Sequence, residues 1–187
     1  EDLYRELKVT SLHGQTKDAM SKTKAGAWRY DIVTDGYKSN MTDIMASIGI
    51  VQLKRFNGMK EKRRAIFDLY SEKLSDREWA ILPFKKDGGT ETCYHLYPLR
   101  IKGFSEFKRD KLIQMMADIG IATNVHFVPL PMFTLYKNMG YSIKDYPNAY
   151  AQYANEISLP LYSTLSLEDA DYVADELIKC VESIINE

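Results

Sequence analysis

From residue 59 onward the sequence alternates between helical and extended patterns, and its extended stretches are few and short. This alternation constrains the fold more than any other feature. A helix is expected over about 59–75, with Ile66, Leu69, Tyr70 and Leu74 on one face and Lys60 to Arg64 on the solvated side. KKDGGTET is turn-rich, and Gly88-Gly89 reads as a hairpin tip. CYHLYPLRI (93–101) has strand character. A helix over about 105–119 carries a core stripe of Leu112, Met115, Met116 and Ile119, and Gly120 stops it. IATNVHFV (121–128) reads as a second strand, ended by Pro129 and Pro131. Two short helices follow, in PMFTLYKNMG and YPNAYAQYANEI, and then a third strand in ISLPLY (157–162). Ser166-x-x-Asp169 resembles a capping box and opens a helix to about 185, with Val173, Leu177, Val181 and Ile184 inward. Three strands covered on one side by helices make a two-layer α+β domain.

Upstream, Ile44, Ile48, Val51 and Leu53 recur at near-helical spacing behind Thr42, a good N-cap. The expectation is a helix over about 42–57, punctuated by Asn57-Gly58 before the next one begins. Residues 8–40 are polar and aperiodic. They contain HGQTKDAMSKTKAGAW, a long exposed loop of the kind that is usually functional or mobile, and the extended run YDIVTDGYKSN. Asp2 to Leu7 look like the last turns of a polar helix with no start signal. With no initial Met, the expectation is a chain whose N-terminal part is missing.

Hydrophobic residues make up 45% of the 187, enough for a sizeable core. The balance of 25 basic against 26 acidic residues disfavours a nucleic-acid binder or a polybasic membrane-surface protein. No apolar run approaches the ~20 residues of a transmembrane helix. Cys93 and Cys180 fit neither a metal spacing nor a disulfide framework, which suits reduced thiols in a cytoplasmic protein. His13, His95 and His126 show no ligand spacing, so no metal is expected. P-loop, Rossmann and nucleophile-elbow patterns are also missing.

Three spots stand out. HGQ (13–15) lies in the long loop. GYKSN (36–40) puts a cation and an amide just before a helix N-terminus, where free N–H groups and partial positive charge suit an anion such as phosphate. The same residues also fit an ordinary cap beside an exposed lysine. VHFVPLP (125–131) places His126 and Phe127 at a strand end, where His126 is either a functional group or a histidine satisfied by a backbone carbonyl.

The run GYKSNMTDIMASIGIVQLKRFNGMKEKRRAIFDLYSEKL closely resembles the C-terminal half of the DegT/DnrJ/EryC1/StrS aminotransferases, which are pyridoxal-phosphate (PLP) enzymes acting on nucleotide-linked keto-sugars. The matching elements are Gly36 to Asn40, Ala46 to Gly49, Gln52-Leu53 and Arg63-Arg64. HGQ upstream, and IATNVHFVPLP and SLPLY downstream, follow in the family's order, so the resemblance covers about residues 5–185. It implies the small C-terminal domain of the aspartate-aminotransferase-like architecture (PLP fold type I), an α+β domain whose short antiparallel sheet is covered by helices. Residues 1–40 would be the end of the large cofactor domain, 41–58 a connecting helix and 59–187 the small domain.

The resemblance also implies site residues. Lys38 and Asn40 are cofactor-binding candidates: the family often has Asn at the position of Lys38, reaching the cofactor phosphate of the other subunit, and many members have Arg where Asn40 stands. Tyr37, His126 and Phe127 are candidates on the substrate side. No catalytic residue is assigned, because the lysine that carries the cofactor and the Asp that pairs with its ring nitrogen are expected upstream of Glu1. The implied activity is ping-pong transamination from an amino acid, glutamate, to a nucleotide-sugar, within a homodimer. A catalytically silent C-terminal module, and a sugar dehydratase with His in place of the lysine, share this half of the chain.

Overall fold

The computed structural model describes residues 1–16 and 31–187, so the part of the expected long loop at 17–30 lies outside the described residues. The chain divides into two compact units, Glu1–Arg55 and Phe56–Glu187.

In the first unit, α1 (Asp2–Thr10) buries none of its residues. A turn follows, then an extended segment, then the start of α2 (Asp43–Leu74). Thr42 caps α2: its hydroxyl accepts from Met45 N at 3.4 Å and its carbonyl from Ala46 N at 2.9 Å. Ile44, Ile48, Val51 and Leu53 are all exposed.

α2 corrects the expected break at Asn57-Gly58. It is one helix of 32 residues, not two. A glycine inside a helix costs only ~1 kcal/mol against alanine, whereas each fully buried large apolar side chain contributes roughly 1.5–3 kcal/mol. The second half of α2 buries Ile66, Phe67, Tyr70 and Leu74, which outweighs the weak pair at 57–58.

The second unit is built on a three-stranded antiparallel sheet in the order β1-β4-β5, where β1 is Ala80–Ile81, β4 Tyr97–Ile101 and β5 Glu156–Leu159. A separate hairpin joins β2 (Lys86–Asp87) to β3 (Thr90–Glu91) across Gly88-Gly89, both at positive φ, as the turn-rich composition implied. Tyr97, Leu99 and Ile101 alternate along β4 and are fully buried, while Pro98 and Arg100 are half-buried on the other face. The buried face shares one core with Phe67 and Tyr70 of α2, with Leu112 and Met116 of α3 (Glu106–Asp118), and with Val173, Leu177, Val181 and Ile184 of α6 (Leu167–Ile185). Phe67, Tyr70 and Tyr97 meet edge-to-face at 4.7 and 5.1 Å between centroids. Both tyrosine hydroxyls find partners, Tyr70 on Pro160 O at 2.9 Å and Tyr97 on Ser71 at 3.2 Å. Ser105 caps α3, and Ser166 caps α6 by accepting from Asp169 N at 2.9 Å. The helices expected in 132–154 are α4 (Thr134–Asn138) and α5 (Pro147–Ala154).

The expected strand at 121–128 is not one. Two of its amides are taken by side chains, Val125 N donating to Asn124 Oδ1 and His126 N to Glu156 Oε2, each at 2.8 Å, and Ile121 N turns back to Met116 O at 2.9 Å. A single bridge, Asn124 to Ser158, is all that remains of strand pairing. The place of that expected second strand in the sheet is taken by β1, which pairs Ala80 with Ile101 and Ile81 with Arg100.

Candidate functional site

The sequence-predicted residues fall in both units. Tyr37, Lys38 and Asn40 lie in the first, and their placement is set by HGQ. His13 and Gly14 have φ of 57° and 71°, and Gln15 N donates to Leu12 O at 3.1 Å. Positive φ at both central residues marks a hairpin turn of the I′ kind. The end of α1 and the turn together grip the GYKSN segment through its backbone. Tyr37 N donates to Thr10 O at 2.8 Å, His13 N to Tyr37 O at 3.1 Å, and Ser39 N to Ser11 O at 3.0 Å. Bridges pair Leu12 with Lys38 and Gln15 with Ile32.

With its backbone held, the segment presents its side chains outward. Tyr37 is 74% exposed, and Lys38 and Asn40 are exposed too. The Lys38 ammonium has no hydrogen bond or ion pair among the described residues. The start of α2 is less of an anion site than its sequence suggests. Thr42 already takes one first-turn N–H, and Asp43 brings a carboxylate to the same end. Lys38 is therefore the stronger anion donor of the segment.

His126 and Phe127 lie in the second unit. Phe127 is 73% exposed and stands edge-on to the His126 ring at 4.7 Å; the peptide between them is cis. His126 Nδ1 is 2.8 Å from Ser158 Oγ. Ser158 Oγ in turn donates to Glu156 Oε1 at 2.5 Å, and Glu156 Oε2 accepts the His126 N–H. The period of two along β5 explains this grouping. Ile157 and Leu159 enter the core, and Glu156 and Ser158 point together to the other face, opposite Arg100 and Pro98.

Glu156 is completely buried, and burial pushes its carboxyl above the usual range. The Ser158 hydroxyl and the His126 N–H pull in the opposite direction, as does the guanidinium of Arg109. Arg109 is itself 1% exposed. It donates to Tyr153 O at 2.7 Å and to Asp110 at 2.6 Å, and it stacks on the Tyr153 ring at 4.7 Å.

His126, Ser158, Asn124, Thr123 and His95 line a cavity of about 270 Å³. Two histidines 31 positions apart in sequence thus share one cavity, which no spacing rule reveals. Glu156 and Ser158 also escaped the sequence reading. Their one local signal is the alternation E-I-S-L, which sets two polar residues on the same face of an otherwise apolar strand. Among the described residues, no three metal-ligating side chains converge.

Comparison with known proteins gives a consistent result. Residues 1–178 match the DegT/DnrJ/EryC1/StrS aminotransferase family. Spr1654 of Streptococcus pneumoniae, assigned as a sugar aminotransferase and solved in its PMP form, is 44% identical with a TM-score of 0.84, over 98% of this chain and 46% of that one. The spore coat polysaccharide biosynthesis protein SpsC of Bacillus subtilis is 34% identical over 99% of this chain and 47% of its own length. A UDP-4-amino-4,6-dideoxy-N-acetyl-beta-L-altrosamine transaminase of Campylobacter jejuni is 30% identical over 98% of this chain and 46% of its own length. The chain thus spans about half the length of these relatives. Its short antiparallel sheet and covering helices are those of the aspartate-aminotransferase-like, PLP fold type I architecture. On its sequence and its fold together, this chain belongs to the DegT/DnrJ/EryC1/StrS aminotransferase family.

Proposed function

We propose that the chain is the C-terminal part of a PLP-dependent aminotransferase that moves an amino group from an amino-acid donor, glutamate, to a nucleotide-linked keto-sugar for cell-surface polysaccharide. One observation carries this reading. The backbone of Thr10 to His13 fixes residues 37–39 and leaves the Lys38 ammonium exposed, with no hydrogen bond or ion pair among the described residues. Holding a free cation on a rigid segment is what phosphate recognition needs. SpsC, by its name, and the Campylobacter jejuni transaminase supply the sugar context.

The residues present fit the cofactor's phosphate end. Lys38 offers a charge-assisted hydrogen bond and Asn40 a neutral one. Bound PLP supplies the electron sink that lets an amine move between carbons. The residues of this chain orient the two reactants. Lys38 and Asn40 anchor the phosphate, Tyr37 serves the substrate side, and His126 and Phe127 offer a ring nitrogen and an aromatic face to the sugar.

The reading includes a homodimer in which Lys38 serves the partner's site. The test mixes two inactive full-length variants, Lys38→Ala and one lacking the cofactor lysine. Heterodimers then hold one intact site, made of the lysine of the first variant and the Lys38 of the second. Recovered nucleotide-sugar transamination is the expected result. An inactive mixture with heterodimers demonstrably formed sinks the reading in trans.

A further inference from the structure

We infer that Glu156 and Ser158 are positioning residues that hold His126 in its Nδ1–H tautomer, leaving Nε2 as a bare acceptor for a ligand hydroxyl. Hydrogen-bond accounting leads there. Glu156 receives two bonds, one on each oxygen, from the Ser158 hydroxyl and the His126 backbone N–H. Those two bonds describe Glu156 as an ionised, acceptor-only carboxylate, the form that the Ser158 hydroxyl, the His126 N–H and the Arg109 guanidinium favour against the cost of burial. Ser158 has one hydroxyl proton, and Glu156 takes it at 2.5 Å. The 2.8 Å contact between Ser158 Oγ and His126 Nδ1 therefore needs its proton from the imidazole.

Nε2 is left as the ring atom without a partner among the described residues. His126 lines the 270 Å³ cavity, and the Thr123 hydroxyl in the same wall is buried without a hydrogen bond among the described residues. A bare ring nitrogen and a spare hydroxyl together suit a polyhydroxylated ligand. That last step rests on the nucleotide-sugar reading above; the tautomer does not, so the two can fail separately.

The chain has three histidines, so ring ¹⁵N shifts of His126 can be assigned in the 187-residue protein without cofactor or substrate. At pH 8, above the ordinary histidine pKa of about 6.5, Nδ1 should show the shift of a protonated nitrogen and Nε2 that of a bare one. Glu156→Gln makes a sharper demand. The His126 backbone N–H can only donate, so the amide oxygen must face it and the amide NH₂ must face Ser158. Ser158 then donates to Nδ1, and the imidazole proton moves to Nε2. Inversion of the two shifts in Glu156→Gln, and loss of the single Nδ1–H form in Ser158→Ala, support the inference. A wild-type His126 in the Nε2–H form overturns it even if a variant fails to fold. A tautomer unchanged in both folded variants overturns it as well, since a merely structural pair would leave the ring proton where it was.

Discussion

A β-carbon on Gly36 would lie 2.2 Å from the backbone nitrogen of Gly14. The two glycines face each other so closely because the HGQ turn and the GYKSN segment pair backbone to backbone. Gly14 is equally constrained from its other side, where a β-carbon would meet Thr34 O at 1.9 Å with φ at +71°.

Gly36→Ala should therefore release residues 37–39 from the turn. The clash is with backbone, so no side chain can yield, and the cost should exceed ~2 kcal/mol. Hydrogen exchange at the amides of His13, Tyr37 and Ser39 checks it. Protection there should fall more than about 30-fold, at ~1.4 kcal/mol per decade, with the amides of β4 and β5 unchanged.

Lys38→Ala in the full-length enzyme should lower PLP affinity about 10- to 100-fold, since a hydrogen bond from a charged group is worth ~1.5–3 kcal/mol. Asn40→Ala should cost less, roughly 0.5–1.5 kcal/mol for a neutral donor. Cofactor titration by absorbance ranks the two, and a larger effect at Asn40 would move the phosphate contact to that residue.

Gly58→Ala should stabilise the protein by about 0.5–1 kcal/mol. The position lies inside α2, and an added β-carbon meets nothing within 4 Å. Urea unfolding measures this directly. Destabilisation would mean that α2 is broken at Asn57-Gly58 in solution.

Glu91 should contribute to acid unfolding. The Tyr94 hydroxyl at 2.6 Å and the Lys60 ammonium at 3.0 Å hold its carboxyl down to about 2, from an ordinary 4.5. A depressed carboxyl stabilises fully above the unfolded value, and its contribution is lost as the pH falls through the folded one. Stability should thus decline between pH 4.5 and 2, and Glu91→Gln should flatten that part of the profile. An unchanged acid limb in the variant would remove this pair from the account.

Local pattern carried the parts of the fold that are local. The four inward residues expected of α6 are all buried, and the Ser166 cap is in place. Asn57-Gly58 misled because turn chemistry was weighed without the burial that follows it along the helix. The stretch 121–128 misled because a strand-like composition does not say whether its amides will meet another strand or a side chain. β1 is two residues long, too short for any period, and is placed by long-range bonds such as Lys102 N to Trp79 O at 2.8 Å. The candidate residues in GYKSN and VHFVPLP could be named from sequence. Glu156 and Ser158 could not, because their link to His126 spans 30 and 32 residues and exists only once β5 takes its register.

The lone bridge between Asn124 and Ser158 also bears on how the molecule behaves in a crowd. Sheets recruit foreign chains along unpaired edges. Here one edge is β1, with two residues to offer, and the other is β5, whose central amide and carbonyl are already engaged by Asn124 at 2.7 and 3.2 Å. A segment that failed to become a strand thus closes the border where a strand could have been added, and this sheet gives cross-β growth almost no template.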